Sequence, residues 1–152
     1  MSLGGGGGGQ LEELQQQLQL LEQQKQAIRA EIQSVRAQQG MIDDAIDAVE
    51  TLESDSTVQV PLGGGAYVRA EIQDIDEIVV ELGGGYAAER DSDGAISSLE
   101  NKRDALDDRI EDLEGEITEI ESDTEALEAK AQQLQQQQMQ QLQQQMGQGQ
   151  DE

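Results

Sequence analysis

A Leu-Gly-Gly-Gly unit occurs twice in this chain, at Leu62–Gly65 and Leu82–Gly85, with apolar, β-branched segments on either side of each copy. Around the first copy the apolar residues fall on alternate positions, as Val58, Val60 and Leu62 before it and Val68, Ala70 and Ile72 after it. A period of two marks a half-buried strand. Three glycines between two such runs supply the positive φ angles that a tight hairpin needs. Thr57–Glu89 therefore reads as two β-hairpins in tandem, joined by the polar Gln73–Asp76.

The flanks follow a different period. Leu11, Leu14, Leu18, Leu21, Lys25, Ile28, Ile32, Val35, Gln39, Ile42, Ile46 and Val49 are separated by alternating steps of three and four. A second series does the same through Ile96, Leu99, Arg103, Leu106, Ile110, Leu113, Ile117, Ile120, Thr124, Leu127, Ala131 and Leu134. Sustained 3–4 spacing specifies a coiled coil, and polar residues on its seam, such as Lys25 and Gln39, set register. Gly40 lies off the seam and weakens the helix locally. The first helix is expected to stop near Ser54–Thr57, where Ser and Asp favour turns. Asp91, Ser92 or Asp93 can cap the second. Past Leu134, Gln138 takes the next seam position, while Met139, Leu142 and Met146 fall out of step.

Two helices of similar length joined by a compact unit can fold back on each other. The expected fold is mainly α with a small β unit: a long antiparallel coiled-coil hairpin whose two helices are joined by two tandem β-hairpins. The boundaries read as a flexible Gly-rich leader at 1–9, a helix at 10–56, hairpins at 57–90, a helix at 91–142 and a polar tail at 143–152. In this arrangement the free helix ends meet, Leu11–Leu21 beside Leu134–Met146, and both are Gln-rich. The heptad through Leu14–Leu21 favours helix on the first side, whereas Gln132–Gln145 is compatible with either a helix or a disordered tract.

Composition narrows the function. Tyr67 and Tyr86 are the only aromatic residues, so burial must come from helix seams and from partner chains rather than from a compact core. The net charge of −24 argues against nucleic acid and anionic membranes as partners. It suits a salty cytosol, where screening suppresses self-repulsion. Without histidine or cysteine the commonest general base, transition-metal ligand and thiol nucleophile are missing. Solvated carboxylates on a rod lack the shielded pocket that acid–base catalysis needs, and neither an enzyme nor a cofactor is expected. No Lys-Ser or Lys-Thr follows the glycine leader, so it is not a phosphate loop. Neither a signal peptide nor an apolar run of ~20 residues is present, and the expected location is cytoplasmic.

Glu89–Glu100 matches the spacing of a calcium loop, but the flanking helix–loop–helix context is missing. A strand-to-helix junction with capping aspartates explains the same residues. Charge is also uneven. Residues 43–128 carry 27 acidic and 5 basic side chains, and the remainder 6 and 4. A nearly neutral end bearing Leu, Met and Gln suits a non-specific contact surface.

The segment VPLGGGAYVRAEIQDIDEIVVELGGGYAAE closely resembles the centre of archaeal prefoldin α subunits. Val68-Arg69-Ala70-Glu71-Ile72 is similar to that family's Val-x-Ala-Glu-Ile run, and Leu62–Gly65 and Leu82–Gly85 to its two turns. With the flanking heptads, the resemblance covers about residues 10–142. The hexaglycine leader and the long Gln tract depart from the family's pattern. The resemblance implies an ATP-independent holdase in which two α and four β subunits assemble through their hairpins. The coiled-coil tips then hold unfolded proteins and pass them to a group II chaperonin.

Isolated hairpins are marginal alone and expose strand edges, which independently favours oligomerisation. The residues expected to bury at that interface are Val58, Val60, Leu62, Val68, Ala70, Ile72, Ile78, Val80 and Leu82. Client contacts are expected from Leu11, Leu14, Leu18, Leu20, Leu21, Leu134, Met139, Leu142 and Met146, of which Leu14 and Leu134 are also suited to holding the coil. A coiled-coil tether or adaptor with one defined partner is the rival reading.

Overall fold

A computed structural model describes residues 5–150 of the chain, and the side chains of residues 9–147. Helix α1 spans Gly5–Thr51 and α2 spans Ser92–Gln150. Between them lie four strands, β1 (Thr57–Gly63), β2 (Ala66–Glu71), β3 (Ile78–Gly83) and β4 (Tyr86–Arg90). The class is the expected one: two long helices with two small antiparallel hairpins between them. The residues fall into two compact units, one built from α1 up to Ile32 with α2 from Glu111, the other spanning Gln33–Ile110.

In the unit spanning Gln33–Ile110, β1 pairs antiparallel with β2, and β3 with β4, as two separate sheets. Gly63 pairs with Ala66, leaving Gly64 and Gly65 as a two-residue turn with φ of 61° and 84°. Positive φ at both central positions is the type I′ turn, whose twist matches that of the strands it joins. Gly84 and Gly85, with φ of 63° and 81°, repeat the turn in the second hairpin.

The register slips between Pro61 and Gly63, and again between Glu81 and Gly83. Leu62 and Leu82 are thus the extra residues of two β-bulges and do not continue the alternation that precedes them. Val58 lies opposite Ala70 and Val60 opposite Val68, which places these four on one face. The linker between the hairpins is tied to both helix junctions. Ile75 N donates to Ser54 Oγ at 3.0 Å, and Ser92 Oγ donates to Ile75 O at 3.4 Å and to Asp76 Oδ1 at 3.3 Å.

At the start of α2, Gly94 N donates to Asp91 Oδ1 at 2.7 Å, and Ala95 N to Asp91 O at 2.8 Å. Asp91 is therefore the N-cap. Within the same unit the seam carries a polar layer. The Gln39 amide donates to Arg103 O at 3.2 Å and to Asp107 Oδ1 at 2.6 Å. Arg103 Nη1 meets Asp43 Oδ1 at 2.7 Å. The hydrogen bond and charge of Asp43 hold the guanidinium above its ordinary pKa, so it stays charged wherever the chain folds. This pairing runs antiparallel, since Gln39 and Asp43 meet Asp107 and Arg103 in reverse order.

In the other unit, Lys25 Nζ lies 3.2 Å from Glu121 Oε1, and Leu14 shares a groove with Leu127 and Leu134. The direction is again antiparallel. Every residue of both predicted seams is buried or half-buried, whereas most of their neighbours are exposed. Leu113 and Ala95 are fully inaccessible.

Two boundaries differ from expectation at the outer ends. Gly5–Gly9, part of the expected flexible leader, belongs to α1, and residues 1–4 lie outside the described residues. Glycine costs about 1 kcal/mol relative to alanine in a helix, so this turn is carried by propagation from the Leu11–Leu21 segment. The Gln tract and the expected polar tail continue α2 to Gln150, because Gln, Leu and Met are good helix formers with or without a seam to bury. Residues 151 and 152 of that tail lie outside the described residues. Helix α1 stops at Thr51, slightly earlier than Ser54–Thr57. Asp55, at a φ of 69°, already belongs to the turn leading into β1.

Candidate functional site

Two surfaces carry the residues singled out from the sequence. The first comprises the outer ends of α1 and α2, both in the unit built from α1 up to Ile32 and α2 from Glu111. Of the nine candidate contact residues, Leu20, Met139, Leu142 and Met146 are exposed. Leu11, Leu18, Leu21 and Leu134 are half-buried on the seam. Leu14, at 7% exposure, is a core residue of the seam and presents little side chain to solvent.

The split has a simple origin. A seam residue faces the partner helix, whereas Leu20 sits one step before Leu21 and projects away from it. Met139, Leu142 and Met146 repeat the 3–4 spacing one residue out of phase with Gln138, which turns their stripe by about 100° from the seam.

Leu20 also borders two depressions. One, of about 410 Å³, is lined by Gln17, Leu20, Leu21, Gln24, Asp123, Ala126 and Leu127. The other, of about 260 Å³, is formed by Gln16, Gln19, Leu20 and Gln23. Each pairs apolar area with amide groups that donate and accept, so it can seat an aliphatic side chain and satisfy the adjoining peptide.

The second surface is the pair of hairpins. Val60, Leu62, Val68 and Leu82 are exposed, and Val58, Ala70, Ile72 and Ile78 are half-buried. Val80 is only 5% exposed within its own chain and has little area left to bury against another. Its counterpart twenty positions earlier, Val60, is 40% exposed, so the two hairpins are not equivalent despite their repeated sequence. Tyr67, Val79 and Tyr86 are exposed here too and were not among the predicted interface residues. Both tyrosines lie within two positions of a glycine turn, a placement that could have pointed to them. Met41 is also exposed, beside a groove of about 420 Å³ formed with Gln38, Ile42, Lys102, Ala105 and Leu106. As a lone apolar residue off the seam, it left no periodic signal.

The Glu89–Glu100 stretch is accounted for by the helix start, since Asp91 is engaged as the N-cap. Among the described residues no group of three or more Asp or Glu side chains is arranged to hold a metal ion, and no helix is long and apolar enough to cross a membrane.

Residues 15–137 match the family model "Prefoldin subunit". The chain is 67% identical over 106 residues to the "Prefoldin subunit alpha" of Halorubrum lacusprofundi, covering 70% of each chain. It is 64% identical over 110 residues to that of Halobacterium salinarum, covering 72% of this chain and 71% of the relative. Among solved structures it is similar to a filamentous PFD from Methanocaldococcus jannaschii determined by cryo-EM. That similarity has a TM-score of 0.66 and 27% identity, over 74% of this chain and 95% of the other.

Proposed function

Because this chain belongs to the prefoldin subunit family, a family of chaperone subunits rather than enzymes, we propose that it holds unfolded proteins without ATP and passes them to a group II chaperonin. The holding surface is the exposed apolar set at the outer ends of α1 and α2. Assembly runs through the hairpins, residues 57–90, with β-type subunits in a complex of two α and four β chains in the cytoplasm.

The observation that carries this reading is the exposure of Leu20, Met139, Leu142 and Met146 on a Gln-rich background. The residues outside 43–128 bear only 6 acidic and 4 basic side chains, so an incoming client meets little net charge there. Many weak apolar contacts on flexible side chains give broad rather than exclusive recognition. The exposed Val60, Val68, Tyr67 and Tyr86 support assembly through the hairpins, since two-stranded sheets with an open apolar face need a covering surface.

The test replaces Leu20, Met139, Leu142 and Met146 together by Gln, in the full chain co-expressed with a β-type subunit. The mass of the complex should be unchanged, while suppression of client aggregation at molar salt should fall about tenfold, the equivalent of ~1.4 kcal/mol of lost binding. Protection equal to that of the unmodified protein would reject the surface. It would favour a tether that recognises one defined partner elsewhere.

A further inference from the structure

The chain has four methionines and no cysteine, so thioethers are its only sulfur. Met41, Met139 and Met146 are 65%, 63% and 66% exposed, whereas a methionine that serves packing is enclosed in the core it fills. Two of them share a face of α2 with Leu142, at the 3–4 spacing that brings side chains together on a helix. Two of the three apolar side chains on that stripe therefore carry a sulfur open to solvent. We propose that Met139 and Met146 form a paired oxidation site, at which peroxide converts both thioethers to sulfoxides and switches off client holding.

In each step a sulfur lone pair attacks one oxygen of a peroxide such as hydrogen peroxide. An S–O bond forms as the O–O bond breaks, and after proton transfer the second oxygen leaves as water. Sulfur loses two electrons and the peroxide gains them, so no other reactant is required. The product is a polar, hydrogen-bond-accepting group where an apolar one stood, and it leaves Leu142 as the only apolar residue of the stripe. Because neither sulfur is buried in the seam, oxidation leaves the helix pairing intact and acts on the surface alone. A sulfoxide reductase reverses the change.

This inference rests on the reading of the stripe as a client-holding surface, and two readouts separate the two. The assembled full-length protein is treated with hydrogen peroxide at molar salt, and oxygen uptake at each methionine is mapped by peptide mass. Uptake at Met139 and Met146 should proceed within about threefold of the rate in urea-unfolded chain, as expected for open thioethers. Client protection should fall about fivefold after treatment and return on reduction by sulfoxide reductases. Met41→Leu, which alters no residue of the stripe, should show the same loss as the parent. In Met139→Leu/Met146→Leu, whatever its starting level, the ratio of treated to untreated protection should be near one.

Slow uptake at the two sites, full oxidation with unchanged protection, or a loss that persists in the double variant would each overturn the switch. Untreated protein that fails to protect clients at all overturns the holding reading and the switch with it. Untreated protection that peroxide leaves unchanged overturns the switch alone.

Discussion

Glycine at two helical positions has opposite meanings in this chain. At Gly40 an added Cβ meets nothing within 4 Å, so the residue only forgoes helix propensity. Gly40→Ala should raise stability by about 1 kcal/mol. At Gly94 an added Cβ would stand 2.7 Å from Asp91 Oδ1, the oxygen that accepts from Gly94 N to cap α2. The carboxylate can rotate away, but the cap is then lost, at a cost of about 1 kcal/mol that cancels the gain in propensity. Gly94→Ala should therefore be close to neutral. In an Asp91→Ala background no cap remains to lose, and the same change should stabilise by about 1 kcal/mol. Urea unfolding of the four proteins in this cycle reads the coupling directly, and additive effects would mean that Asp91 is not the effective cap.

At the scale of the elements, the seams were legible in full because a coiled coil is a local code: each residue's burial follows from its place in a seven-residue repeat. Leu113, fully inaccessible, shows what the code is worth. Leu113→Ala should cost about 2–5 kcal/mol, whereas Leu142→Ala, on the exposed stripe, should stay within about 0.5 kcal/mol. Thermal unfolding of the two variants checks the contrast, and equal losses would mean that the stripe is packed after all. The hairpins were legible for a related reason, since the glycine trios announce their own turns. Their bulges were not, because the slip that puts Leu62 and Leu82 out of alternation is a matter of pairing geometry rather than composition. The burial of Val80 but not Val60 was equally hidden, as a repeat of twenty residues gives both valines the same place. The split among candidate contact residues was partly visible. Leu14 holds a seam position, and the repeat alone could have assigned it to the core, while Leu20 and Met139 could have been recognised as surface residues by their phase.

For the whole molecule the dominant long-range effect is self-repulsion. Thirty-three acids face nine bases, so at least 24 negative charges have no cation of the chain to neutralise them. Salt acts on this imbalance in two directions. It weakens the solvent-accessible pairs Lys25–Glu121 and Arg103–Asp43, which surface screening already keeps weak. It also shortens the Debye length from about 10 Å at 0.1 M to 3 Å at 1 M, which removes most of the repulsion between charges on neighbouring turns and facing helices. The repulsive pairs far outnumber the attractive ones, particularly across residues 43–128 with their 27 acids and 5 bases, so the second effect dominates. Raising sodium chloride from 0.1 M to 2 M should increase Tm by about 5–10 °C, corresponding to roughly 2–3 kcal/mol for a chain of this size. Replacing exposed Asp104, Asp108, Glu111 and Asp112 by Asn or Gln should raise Tm at low salt and flatten the salt response together, because both act on the same repulsion. Calorimetry across the salt series reads both effects. A Tm that ignores salt in the parent, or a variant stabilised equally at 0.1 M and 2 M, would remove charge repulsion as the term that limits the fold.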